Sequence, residues 1–182
     1  FALMGQAVVR AVDGNQSPRV ALLNIGEEDI KGNEQIKEAA ALLQQAPNLN
    51  YAGFVEGNGI FLGDVDVVVC DGFVGNVSLK TMEGVAKMIG GMIREEADRS
   101  LLRKLSGLFA LPLLRGLKRR MDPERYNGAS LVGLNGVVVK SHGGTGVEGF
   151  VCALEVAQLE ARRNVPALIK DALAPIDPAV AG

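Results

Sequence analysis

Four short apolar runs, each bounded by turn residues, are the feature that most constrains the fold of this chain. They occupy residues 20–25 (VALLNI), 51–55 (YAGFV), 65–70 (VDVVVC) and 136–140 (GVVVK). Their apolar residues are continuous rather than alternating, which is typical of strands that are covered on both faces. Segments with helical spacing separate them, so the sequence predicts an α/β fold with a mostly parallel sheet covered by helices on both faces.

The helical segments are predicted at residues 1–12, 33–45, 77–99, 101–121, 147–163 and 166–173. Pro166 suits a first helical turn, whereas Pro112 is expected to break 101–121 into a protruding helical hairpin. Residues 174–182 hold two prolines and no apolar periodicity, so we expect a flexible tail after a single domain over 1–173. Because Phe1 already lies in a helical pattern, the native protein is expected to be longer.

Composition excludes several classes of protein. The net charge of −2 argues against a general nucleic-acid binder, which needs a large basic surface. Cys70 and Cys152 form no C-x-x-C pair, so neither a disulfide framework nor a zinc site is expected, and a reducing cytoplasm fits best. A single histidine offers no metal site, and nucleotide-binding glycine motifs are missing, so no metal or cofactor is predicted.

Three glycine-rich connections follow predicted strands, at residues 26–33 (GEEDIKGN), 71–76 (DGFVGN) and 141–146 (SHGGTG). Ligands bind at the carboxyl ends of strands in open parallel sheets, so the three loops are expected to meet. Free N–H groups at helix starts favour a phosphate-like anion, and Lys31 and Lys140 would add positive charge. The alternative is that these glycines only allow turns.

Individual residues in these loops have both a chemical and a structural interpretation. His142 is the only histidine and stands in a polar loop, which favours a base or proton relay. Asn76 could contact a ligand or simply cap a helix, and Lys31 could be a solvated charge. Ser141 lies outside any G-x-S-x-G motif, which disfavours a covalent serine mechanism.

Three longer segments carry a family resemblance: 18–34 (PRVALLNIGEEDIKGNE), 64–84 (DVDVVVCDGFVGNVSLKTMEG) and 126–144 (YNGASLVGLNGVVVKSHGG). They resemble the bacterial phosphate acyltransferases of phospholipid synthesis, the PlsX family. Members of that family are considerably longer, so this chain corresponds to a C-terminal half. The resemblance implies a phosphotransacetylase/isocitrate dehydrogenase-like fold, a homodimer, and conversion of acyl-[acyl carrier protein] and inorganic phosphate to acyl phosphate and free carrier protein.

The resemblance also implies roles for site residues. Three would be catalytic: Lys31, Asn76 and His142. Six would bind phosphate or the acyl substrate: Asp71, Gly72, Gly75, Lys140, Ser141 and Gly143. Gly59 and Gly146 depart from the family pattern, because an acidic residue is common at both positions. Two alternatives stay open, namely a coenzyme A-dependent phosphotransacetylase and an inactive binding or dimerisation module.

Residues 99–121 carry seven basic residues and no acidic one around an apolar centre at 108–114. This composition predicts an interfacial hairpin whose Leu108, Phe109 and Leu111 contact an anionic membrane surface. The alternative is an amphipathic segment that packs on the core or at a dimer contact. The resemblance likewise implies a cytoplasmic enzyme at the membrane periphery, delivering its product to a membrane-bound glycerol-3-phosphate acyltransferase.

Overall fold

A computed structural model describes residues 1–120 and 123–175. The chain forms two compact units. The first unit consists of Phe1–Cys70 and Asn127–Gly182, and the second unit is Asp71–Tyr126.

A parallel three-stranded sheet forms the centre of the first unit. Its strands are β1 (Val20–Leu23), β2 (Tyr51–Val55) and β3 (Val67–Val69), in the order β2-β1-β3. Val20 and Ala21 of the central strand are fully buried, as expected for a strand covered on both faces. The predicted α/β class is confirmed.

Helix α1 (Ala2–Val12) connects the sheet to the C-terminal helices. It contacts β3 as well as α5 (Val147–Arg163) and α6 (Val165–Leu173). A core cluster between α1 and α6 consists of Ala7, Ala11, Val165 and Ile169. Gly5 lets α1 approach β3 closely, since a Cβ at this position would lie 2.8 Å from Cγ1 of Val67. Helix α2 (Glu34–Gln44) belongs to the same unit and contacts β2.

A separate antiparallel hairpin completes the first unit. It pairs β4 (Ala129–Ser130) with β5 (Val139–Lys140). The prediction that 136–140 belongs to the parallel sheet is therefore wrong. The eight-residue connection 131–138 is too short for the crossover that parallel strands need, and Leu131 N–H instead donates to the carbonyl of Val138 at 2.8 Å.

Most predicted helix positions in the first unit agree with the structure. Helix α5 has the bounds that its periodicity predicts, and Pro166 lies in the first turn of α6, where its missing N–H is tolerated. Residues 176–182 of the predicted tail lie outside the described residues.

The second unit consists of two contacting helices, α3 (Gly72–Asp98) and α4 (Leu101–Arg120), followed by the 3-10 turn Pro123–Tyr126. The predicted break at Pro112 is wrong, because α4 continues through this proline. The helical segments are instead separated at Arg99 and Ser100, where the Ser100 hydroxyl accepts a hydrogen bond from Arg103 N–H at 3.2 Å. A serine in that position satisfies a free amide at a helix start. Met121, the predicted end of the hairpin, lies outside the described residues.

Candidate functional site

The first glycine-rich loop follows β1 and is held by Asn24. This side chain is buried, with 5% of its surface exposed. Its Oδ1 accepts a hydrogen bond from Ile25 N–H at 2.9 Å, and its Nδ2 donates to the carbonyl of Lys31 at 3.3 Å. One amide therefore joins the two ends of the loop and fixes where the Lys31 backbone lies.

Two glycines in this loop are required by close approaches. Gly32 has a φ of +88°, and a Cβ there would lie 2.5 Å from Oδ1 of Asn24. A Cβ on Gly26 would lie 2.9 Å from Cγ of Lys31. Gly32 thus supplies a left-handed turn, as the alternative that these glycines allow turns expected. In addition, Gly32 leaves space for the Asn24 side chain and Gly26 for that of Lys31.

Lys31 lies on this loop and has no charged partner among residues 1–120 and 123–175. The residue is exposed. Lys37, one turn into α2, instead pairs with Glu34 at 3.4 Å. An unpaired ammonium on a loop is available to an anionic ligand.

Burial raises the pKa of the Tyr51 phenol on β2. The carboxylate of Asp29, in the loop that follows β1, raises this pKa further, to a lesser extent. Ionisation of this phenol would place an anion in a desolvated position, so the phenol is neutral at physiological pH.

The loop 141–146 is held by a second buried asparagine, Asn127. Its Nδ2 donates to the Ser141 hydroxyl at 2.8 Å and to the carbonyl of Gly149 at 2.7 Å. Its Oδ1 accepts a hydrogen bond from His142 N–H at 2.9 Å. One side chain therefore ties this loop to the first turn of α5.

The imidazole of His142 also makes a contact that defines its tautomer. Gly144 N–H donates to Nδ1 at 3.2 Å, so the neutral ring carries its hydrogen on Nε2. The ring is exposed, and Nε2 is free to donate to a ligand. The geometry favours a hydrogen-bond donor over a base at this nitrogen.

Residues 71–76 do not form the predicted loop. Helix α3 begins at Gly72 rather than at 77, and Asp71 is its N-cap. The Asp71 carboxylate accepts hydrogen bonds from Phe73 N–H at 2.8 Å and Val74 N–H at 3.4 Å, while Gly75 N–H donates to the Asp71 carbonyl at 2.8 Å. These first-turn amides are therefore occupied within the protein itself.

Asn76 is not a helix cap, because it lies within α3. Its side chain is exposed and makes no hydrogen bond to any described residue. The structural explanation for Asn76, capping a helix start, is thus removed, and the contact with a ligand stays a prediction.

The structure brings together only part of the predicted site. Lys140, Ser141, His142 and Gly143 lie in or directly after β5, and Lys31 lies on another loop of the same unit. The predicted reason for 26–33 and 141–146 to meet, a shared edge of parallel strands, is wrong because β5 is not part of the parallel sheet, and the meeting of the two loops stays a prediction. Asp71, Gly72, Gly75 and Asn76 belong to the second unit, so a pocket shared by all three segments stays a prediction.

The two family departures have different structural settings. Gly146 is the N-cap of α5 and has no side chain with which to accept a hydrogen bond from that helix start. Gly59 begins a 3-10 turn, Gly59–Phe61, and a Cβ there would lie 2.8 Å from Cγ2 of Val55. An acidic side chain at residue 59 would therefore require Val55 to move.

The predicted membrane-contact residues lie on α4. Phe109 is 85% exposed, and Leu111 is partly exposed. The side chain of Leu108 lies outside the described residues. Among the helices of residues 1–120 and 123–175, none combines the length and apolar character that a bilayer span requires.

Sequence analysis missed the two asparagines that organise the site loops, Asn24 and Asn127. Both stand next to strands or glycine turns, but an isolated Asn in such a place is commonly only a turn residue. Asn127 precedes Gly128 in an Asn-Gly pair, which is a turn signal rather than a sign of a buried amide. Their importance depends on contacts with residues 7 to 22 positions away.

The fold and these loops define an α/β protein whose loops carry exposed hydrogen-bond donors and a lysine that has no ion pair among the described residues. The chain belongs to the fatty acid synthesis protein family, which matches residues 1–168. It is 82% identical over 173 residues to the phosphate acyltransferase of Alcanivorax borkumensis, covering 95% of this chain and 51% of that protein. The phosphate acyltransferases of Alkalilimnicola ehrlichii and Nitrosococcus oceani are 57% and 55% identical, covering 95% and 96% of this chain and 50% and 51% of theirs.

The chain thus spans about half the length of the curated relatives that it matches. These similarities confirm the family resemblance that its sequence motifs predict. The activity, substrates and partners of these relatives belong to proteins of about twice the length of this chain.

Proposed function

We propose that this chain is part of a phosphate acyltransferase that converts acyl-[acyl carrier protein] and inorganic phosphate to acyl phosphate and free carrier protein. The observation that carries the proposal is the Ser141–His142 turn, whose free groups are hydrogen-bond donors. Asn127 already occupies the acceptor side of the Ser141 hydroxyl, and Gly144 occupies Nδ1 of His142. Such a turn suits an anion with several acceptor oxygens.

The proposed reaction needs no covalent enzyme intermediate. An oxygen of hydrogen phosphate attacks the thioester carbonyl carbon, and the carbonyl oxygen becomes an oxyanion. The carbon–sulfur bond then breaks, and the proton lost by phosphate ends on the departing thiolate. The protein's contribution is to orient the phosphate and stabilise the developing negative charge.

Residues of the first unit would bind and orient the phosphate. The Ser141 hydroxyl and Nε2–H of His142 would donate to phosphate oxygens, with Gly143 allowing the close approach of the backbone. Lys31 and Lys140 would neutralise the charge, and neither forms an ion pair within the described residues. Lys31 could also stabilise the oxyanion.

Residues of the second unit would contribute a further donor. The unpaired Asn76 amide is proposed to hydrogen-bond the same reacting centre, with Gly72 and Gly75 leaving space around it. Asp71 would act by starting α3 at the correct residue, since its carboxylate caps that helix. Direct contact between Asp71 and substrate stays a prediction.

The cellular setting is a further part of the proposal. We expect a cytoplasmic homodimer that associates peripherally with anionic membrane and delivers acyl phosphate to a membrane-bound glycerol-3-phosphate acyltransferase. The exposed Phe109 and Leu113 of α4, 85% and 76% accessible, support the membrane contact. Two of the seven cations, Arg99 and Arg103, are neutralised by Glu96, so the remaining basic residues would supply the attraction to lipid.

The proposal is tested by following both products with the full-length gene product. Acyl-[acyl carrier protein] is supplied with and without inorganic phosphate, free thiol is titrated, and acyl phosphate is trapped as a hydroxamate. Equal amounts of thiol and acyl phosphate, both requiring phosphate, are expected. Faster turnover of acyl-coenzyme A would favour the phosphotransacetylase alternative, and inactivity with every acyl donor would favour a binding module.

A further inference from the structure

Asn127 organises the loop that carries Ser141 and His142 through contacts that the sequence did not predict. We propose that Asn127 is a positioning residue that makes the Ser141 hydroxyl a hydrogen-bond donor toward the substrate phosphate. The inference rests on the proposed function for the identity of the anion. Its geometric basis is independent of that function.

The orientation of the Asn127 amide is fixed by its neighbours. The carbonyl of Gly149 can only accept a hydrogen bond, and His142 N–H can only donate one. The nitrogen must therefore face Gly149, at 2.7 Å, and the oxygen must face His142, at 2.9 Å. If the amide were flipped, its oxygen would face the Gly149 carbonyl, which is also an acceptor, and its nitrogen would face His142 N–H, which is also a donor.

This orientation determines the direction of the Ser141 hydroxyl. The amide nitrogen has no acceptor capacity, so Ser141 Oγ must accept the hydrogen bond at 2.8 Å. The hydroxyl proton is then directed away from Asn127. No described residue accepts it, which leaves the proton for an external acceptor such as a phosphate oxygen.

Burial makes the arrangement rigid. Asn127 is 7% exposed, so water competes poorly for its three hydrogen bonds. The same amide holds the His142 backbone and the first turn of α5. A change in its polarity, at constant size, is therefore transmitted to the Ser141 hydroxyl and to the His142 backbone.

Replacing Asn127→Asp changes polarity without changing size. A carboxylate cannot donate to the Gly149 carbonyl, and it accepts the Ser141 proton that phosphate would otherwise receive. We expect the KM for phosphate to rise about 10- to 100-fold, the range for losing one hydrogen bond to a charged group. The KM for the acyl thioester should stay within about twofold, since that substrate is not held by this hydroxyl.

Asn50→Asp is the matched control. Asn50 Nδ2 also donates to a backbone carbonyl and a serine hydroxyl, both of Ser17, at 3.0 and 3.2 Å. The same chemical exchange there lies on another segment and should leave both KM values unchanged. A similar rise of the phosphate KM in both variants would overturn the proposal.

A double-mutant cycle with Ser141→Ala separates positioning from general loss of structure. If Asn127 acts through the hydroxyl, Asn127→Asp should raise the phosphate KM much less when Ser141→Ala is already present. The proposal would be contradicted if the two substitutions raised the phosphate KM by independent factors that multiply in the double variant. It would also be contradicted if Asn127→Asp lost thermal stability and affinity for both substrates in parallel. If Asn127→Asp fails to fold, Ser141→Ala alone decides, because an unchanged phosphate KM refutes a donor role for the hydroxyl.

Direct binding distinguishes this inference from the proposed reaction. Inorganic phosphate is titrated into the full-length gene product and into each variant by calorimetry. Binding that weakens in Asn127→Asp and Ser141→Ala supports the inference even when acyl transfer is absent, in which case only the proposed reaction fails. Equal phosphate affinity in all three proteins, or no binding by the unchanged protein, overturns the inference.

Discussion

Gly32→Ala is a sensitive test of the loop that carries Lys31. The left-handed φ of +88° at Gly32 disfavours any Cβ by about 1–2 kcal/mol. The added carbon would lie 2.5 Å from Oδ1 of Asn24, so that side chain must move and weaken its hydrogen bonds to Ile25 and Lys31. Two such bonds contribute about 1–3 kcal/mol together, so the free energy of unfolding should fall by about 2–5 kcal/mol in total.

Gly14→Ala is the matched control for backbone strain alone. Gly14 has a φ of +73°, and a Cβ there would meet nothing within 4 Å. This variant should lose only the conformational part, about 1–2 kcal/mol. The difference between the two variants therefore isolates the collision with Asn24.

Urea unfolding of the full-length gene product measures this difference. With a slope near 2 kcal/mol per molar urea, a difference of about 2 kcal/mol separates the two midpoints by about 1 M. Hydrogen exchange of the Ile25 amide, which donates to Asn24, gives a local reading and should accelerate only in Gly32→Ala. Equal midpoints and equal Ile25 exchange in the two variants would refute the account of this loop.

Two further predictions concern the second unit. Asp71→Ala removes the cap of α3 and should destabilise the protein by about 0.5–2 kcal/mol, whereas Asn76→Ala should leave the melting temperature nearly unchanged. Equal melting temperatures of the two variants would contradict the assignment of Asp71 as the cap. Phe109→Glu should weaken co-sedimentation with anionic vesicles, in a salt-dependent manner, while acyl transfer in solution persists. Unchanged vesicle binding by a well-folded variant would exclude Phe109 as a lipid contact.

The sequence predicted those parts of the fold that depend on local patterns. The apolar run 51–55 and the periodicity of 147–163 gave the bounds of β2 and α5, because hydrophobic spacing reports directly on burial. The run 136–140 looks the same as a parallel strand, but β5 pairs with β4, a strand of only two residues that is separated from it by the eight residues 131–138. Such a short strand leaves no periodic signal.

Helix starts show a second limit of local patterns. Two glycines in residues 71–76 weaken a helical assignment, so α3 was expected to begin at 77. Asp71 overcomes this weak propensity by accepting hydrogen bonds from two first-turn amides. Pro112 likewise reads as a break, although α4 runs through it.

The residues of the candidate site stay a prediction from the sequence, whereas the contacts that support its loops are visible only in the structure. His142 stands out because a single histidine in a polar loop favours a functional role, whereas Lys31 reads by default as a solvated charge and is singled out by the family resemblance. The buried amides of Asn24 and Asn127 could not be predicted from the sequence. An asparagine near a glycine looks the same in a sequence whether it is a turn residue or a buried side chain that hydrogen-bonds a loop. Only the paired distances to Lys31, Ser141, and His142 distinguish them.

The most direct test of the account compares Lys31→Ala with Lys37→Ala in the full-length gene product. Lys37 is a nearby cation that is already paired with Glu34 on the surface of α2, so its loss should alter acyl phosphate formation by less than about twofold. Loss of the unpaired Lys31 should lower kcat/KM about 100-fold or more, the scale of removing one group that stabilises developing negative charge. Near-normal turnover by a folded Lys31→Ala protein would contradict the account and leave Lys31 a solvated surface charge.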